Sequence, residues 1–113
     1  MAWIYVLKCA RGKYYVGMTK RTVGARCKEH SCGVGSNWTN KYPIIDQSPI
    51  QKVLCKQEEV RDIETKCTIH YMSIYGIDNV RGGVYHAVEL SPGQVKEIND
   101  EITRLRADSR YKK

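Results

Sequence analysis

Five polar side chains stand out for what their types can do at the spacings they hold: Tyr5, Tyr15, Arg26, His30 and Glu64. A carboxylate is a hard ligand for a cation, a guanidinium forks onto an oxyanion, and an imidazole or an activated phenol moves a proton. Tyr5 and Tyr15 fall on two β-type runs joined by the Gly-containing stretch Cys9-Ala10-Arg11-Gly12-Lys13, so a hairpin sets them on adjacent strands. Arg26 and His30 are four residues apart and share one face of a helix. Glu64 directly follows Ile63 and is carried at the edge of an apolar stripe. Singly, each has a plainer reading. Strand tyrosines mostly pack, a surface Arg and His are mostly solvated, and such a Glu often pairs with a nearby Lys.

The elements that must position these residues can be read from local pattern. Residues 3–7 form a short apolar run rich in β-formers, which predicts a strand buried on both faces. Tyr14-Tyr15-Val16-Gly17 returns as its hairpin partner, with Gly17 ending the strand or permitting a close backbone approach. Thr19 or Thr22 caps a helix running to about His30, weakened by Gly24. Residues 31–48, with two glycines and a proline, predict a long loop, and residues 50–55 a third short strand. Glu58 and Glu59 open a helix whose stripe is Val60, Ile63, Cys67, Tyr71 and Ile74, stopping at Gly76. A turn over residues 79–83 follows. The last helix starts with Ser91, Pro92 and Gln94 as cap, first position and capping box, and its stripe is Val95, Ile98, Ile102 and Leu105.

The chain has 113 residues, which suits one domain, with a core over about 2–83 and a C-terminal helix over about 91–106. No apolar run approaches the roughly 20 residues that cross a bilayer, and the first residues lack the pattern of a signal peptide. An intracellular protein, cytoplasmic or nuclear, is expected. Five widely spaced cysteines agree with reduced thiols. Cys27, His30 and Cys32 are the one metal-like grouping, and their spacing matches no common zinc pattern.

Net charge is +7, and residues 1–53 hold nine basic residues against Glu29 and Asp46 alone. The remaining residues balance, with ten of each sign. A basic half suits a polyanion, nucleic acid being the commonest. Residues 37–42 mix Trp38 and Tyr42 with hydrogen-bonding groups and Lys41, which suits DNA contacts; the plainer alternative has Trp38 anchoring a loop onto the core.

The ordered set is more specific than its parts. Ile4-Tyr5, then Tyr15-Val16-Gly17, then Arg26 and His30, then Glu64, then Asn79 resembles the GIY-YIG nuclease family over roughly residues 2–83. Trp3 stands where that family's first motif usually has Gly. The resemblance implies an α/β fold with a small, central, three-stranded and mainly antiparallel sheet flanked by helices. It implies a Mg²⁺- (or Mn²⁺-) dependent DNA endonuclease that leaves 5′-phosphate and 3′-hydroxyl ends. Glu64 then binds the metal, Arg26 grips the phosphate, and Tyr15 is the candidate base with Tyr5 orienting it. His30 is the rival base, because its pKa lies nearer neutrality. Lys20, Trp38, Lys41, Asn79 and Arg81 are the candidate substrate contacts. Specificity in this family usually comes from an attached domain, so a targeting domain, a partner protein or a homodimer is expected. The competing class is a non-catalytic nucleic-acid-binding module on the same fold, which Arg26 and Glu64 argue against.

Overall fold

Strand β1 (Ala2–Cys9) runs antiparallel to β2 (Lys13–Thr19) in the computed structural model of the chain, which describes residues 1–20 and 37–107. Both strands are longer than the sequence predicts and are buried on both faces for most of their length. Ile4, Val6, Tyr14 and Val16 point to one side of the sheet, and Tyr5, Leu7, Cys9 and Tyr15 to the other. A near-continuous apolar run is what a central strand covered on both faces requires.

A short helix α1 (Asn37–Lys41) and a twelve-residue strand β3 (Ile44–Cys55) occupy much of the segment expected to be loop. β3 pairs antiparallel with β1, and its register shifts between Val6 opposite Gln51 and Lys8 opposite Asp46. That irregularity absorbs Ser48 and Pro49, whose loop-like types hid the strand; an edge strand tolerates a proline that cannot donate. Trp38 fixes α1 by burying its ring and donating its indole N–H to the Tyr14 carbonyl at 2.9 Å.

A fourth strand, β4 (Val80–Gly82), lies parallel to β2 on the opposite edge, giving the order β3-β1-β2-β4. The expected α/β fold with a mainly antiparallel sheet is therefore present with four strands in place of three. Three residues within a turn-like sequence carry no periodicity of their own, so only pairing with Tyr14, Tyr15 and Val16 makes them a strand.

Helix α2 (Val60–Tyr75) and helix α3 (Pro92–Ala107) cover the Ile4 and Val6 face. The contact line of α2 is rotated from the predicted stripe. Thr68, Ile69, Met72 and Ser73 are buried, Val60, Ile63, Cys67 and Tyr71 flank them, and Ile74 is exposed. Thr68 is tolerated there because its hydroxyl donates to the Glu64 carbonyl. In α3 the prediction holds: Ser91 and Gln94 exchange cap hydrogen bonds, and Ile98 and Ile102 are buried with Val95 and Leu105 half-buried.

Candidate active site

Pairing across the hairpin places Tyr5 directly opposite Gly17. The Tyr5 and Tyr15 ring centroids are 6.4 Å apart, and both rings are buried. A Cβ on Gly17 would lie 2.5 Å from the Tyr5 hydroxyl and 2.7 Å from the Tyr15 ring. The missing side chain is thus the space in which the two phenols meet. Gly17 does not end the strand, which continues to Thr19, so its requirement is close approach.

β4 carries this hairpin toward Glu64. Tyr15 is in register with Arg81 and Val16 with Gly82, and Gly83 follows directly. The Gly83 N–H donates to the Glu64 carboxylate. Gly83 has a left-handed φ of 55°, and a Cβ there would sit 2.5 Å from the Thr65 hydroxyl and 2.8 Å from the Thr65 Cα. Only glycine lets this turn lie on α2 at the level of Glu64. The next amide, Val84 N–H, donates to the Thr65 hydroxyl at 3.2 Å and extends the seam.

Glu64 is half-buried, and desolvation pushes its pKa up to about 7 against the lowering effects of the Gly83 N–H and the nearby Arg61. It opens into a cleft of about 280 Å³ lined by Arg61, Glu64, Gly83, Val84 and His86. Among the described residues no group of three metal-ligating side chains forms, and the hard oxygen donor lining this cleft is the Glu64 carboxylate. That donor set suits Mg²⁺, which parts with its waters reluctantly.

Two expected substrate contacts are buried instead. Arg81 is only 4% exposed, and its guanidinium donates to the backbone carbonyls of Ile77, Val80, Ala87 and Val88. It also stacks 4.7 Å from the centre of the Trp38 ring. Arg81 thus holds β4 and the turn after it, and Trp38 packs as an anchor against β2 and the Arg81 guanidinium. Asn79 is likewise engaged: its amide donates to the Tyr75 carbonyl at the end of α2 and accepts from Lys13 Nζ at 2.8 Å. Lys20 and Lys41 are exposed, and Lys41 lies 5.6 Å from the Tyr42 ring centre. Arg26 and His30, like Cys27 and Cys32, lie outside the described residues; Cys9, Cys55 and Cys67 are free thiols.

Arg61 and His86 were not singled out by sequence, whereas Gly83 falls in the turn expected over residues 79–83. Arg61 had a usable signal, since it precedes Glu64 by three and shares its helix face. His86 had none, because only the turn after β4 brings it to the cleft.

No match arises among curated proteins or among solved structures. Residues 1–70, which contain Tyr5, Tyr15, Arg26, His30 and Glu64, match the family model of the GIY-YIG catalytic domain. A match over more than half of the sequence, on a sheet and helix arranged as that motif order implies, establishes that this chain belongs to the GIY-YIG family of nucleases.

Proposed function

We propose that the chain is a divalent-metal-dependent DNA endonuclease that leaves 5′-phosphate and 3′-hydroxyl ends, with residues 1–113 acting as one nuclease domain. The observation that carries this reading is Glu64, a half-buried carboxylate oriented by a backbone N–H in a polar cleft, with its pKa raised to about 7. Burying such a group is unfavourable, and a divalent cation relieves the penalty. Mg²⁺ (or Mn²⁺) held by Glu64 supplies Lewis-acid stabilisation of the phosphate and of the leaving oxygen.

The chain's own residues do the rest. Arg26 forks onto two non-bridging oxygens, whose charge rises in the transition state. Tyr15, as phenolate, takes a proton from the attacking water while Tyr5 orients it. The water oxygen bonds to phosphorus, and the bond to the 3′-oxygen breaks. That oxygen leaves with the bonding electrons and is protonated from solvent. His30 is the alternative proton acceptor. Lys20 and Lys41 contribute positive charge toward the DNA strands, and sequence or structure specificity comes from a partner, an attached domain or a second copy.

Nicking of supercoiled plasmid with Mg²⁺, and its loss in chelator, tests the reaction. DNA ligase reseals the nick if the ends are as stated. Glu64→Ala is expected to stop cutting while duplex affinity in chelator persists. Nicking by Glu64→Ala at the wild-type rate would overturn the metal role.

A further inference from the structure

We infer that Arg61 and His86 form a phosphate-binding subsite for the DNA strand, on the cleft wall beside Glu64. The inference rests on the nuclease reading above and adds two residues to it. Both line the 280 Å³ cleft that Glu64 enters, one from α2 and one from the turn after β4. Arg61 is exposed and lies close enough to act electrostatically on the Glu64 carboxylate. Yet neither Arg61 nor His86 donates a hydrogen bond to any described residue. The amides that the cleft shares with them are already committed, Gly83 to Glu64 and Val84 to Thr65. What faces outward is therefore a planar five-donor fork and an imidazole N–H, groups that recognise a phosphate oxygen.

Charge elsewhere narrows the choice of wall. The larger cleft of about 610 Å³ between α2 and α3 is rimmed by Asp62, Glu97, Asp100 and Glu101 against Lys66 and Arg104. A phosphate is repelled there. In the smaller cleft Glu64 is the sole acid among the described lining residues, and a bound cation would neutralise it. A phosphodiester reaching Glu64 therefore passes between two donors placed to hold it or its neighbour along the strand.

The test measures binding of a fluorescent 20-base-pair duplex in chelator across a salt series, then cleavage with Mg²⁺. Arg61→Gln is expected to weaken duplex affinity roughly tenfold, the loss of one charge-assisted contact. It should also reduce the slope of log affinity against log salt by about 1. His86→Ala is expected to weaken affinity about threefold, the value of one hydrogen bond. With Mg²⁺ both variants raise KM more than they lower kcat. Lys66→Gln and Arg104→Gln, which remove charge at the other cleft, leave affinity unchanged. Wild-type affinity in Arg61→Gln, or an equal loss in Arg104→Gln, overturns the subsite. A wild-type protein that binds duplex and never cuts it overturns the nuclease reading alone, because the binding arm still reads Arg61 and His86.

Discussion

Glu64 shows how a fold sets the chemistry of one carboxyl group. Its pKa is raised from 4.5 to about 7, chiefly by desolvation, so the folded metal-free protein holds this proton more tightly than the unfolded chain. The stabilisation that results is full below pH 4.5 and is lost as pH rises through 7. Thermal unfolding in chelator is expected to show a Tm contribution that declines over that window and levels off above it. Glu64→Gln should remove that decline, and Mg²⁺ should raise Tm more at pH 8 than at pH 5, since only the ionised carboxylate binds it. A decline of the same size in Glu64→Gln assigns it to another group. At the hairpin, Tyr15→Phe keeps the ring and removes the hydroxyl. Folding should survive and cleavage fall by about 10²- to 10⁴-fold if Tyr15 is the base. His30→Ala should then cost less, and the reverse ranking would transfer the role to His30.

Among the elements, β4 joins the two halves of the site despite its three residues. It pairs with Tyr14, Tyr15 and Val16 on one side and delivers Gly83 to Glu64 on the other. Arg81 holds it by clamping four carbonyls, and burial lowers its pKa, the sign of a cation kept for its geometry. Lysine cannot reproduce that planar fork. Arg81→Lys is expected to cost about 2 kcal/mol or more, since buried acceptors lose their donors. Hydrogen exchange should accelerate at the Gly82 and Tyr85 amides, which bond one another's carbonyls across this turn. Unchanged exchange there would show that backbone pairing alone holds the strand.

For the molecule as a whole, basic charge is concentrated in residues 1–53. Lys8, Lys41 and Lys52 are exposed, and Lys52 lies over the Trp3 ring at 5.3 Å. Duplex affinity is therefore expected to fall steeply with salt. Charge reversal at Lys28 or Lys41 should flatten the salt dependence, whereas reversal at Lys112 should not. Equal effects at all three would place the binding face elsewhere. Among the described residues no helix is long and apolar enough to cross a membrane.

Local signals determined what neighbouring residues can settle between themselves. The hairpin followed from two apolar runs around a Gly-containing turn, and α3 from its cap and its stripe. The family followed from the order of Tyr5, Tyr15, Arg26, His30 and Glu64. Tertiary structure decided whatever depended on partners distant in sequence. β4 is a strand only because β2 lies beside it, and β3 extends through Ser48 and Pro49 because an edge strand can carry an irregularity. The sheet meets α2 along Thr68, Ile69 and Met72, a line that the helix's own apolar period does not mark. Arg81 and Trp38 have the types of substrate contacts and the surroundings of core residues. Side-chain type sets which contacts are possible, and packing selects among them. For that reason His86 reaches the Glu64 cleft with no sequence signal, while Trp38 lies buried against Arg81.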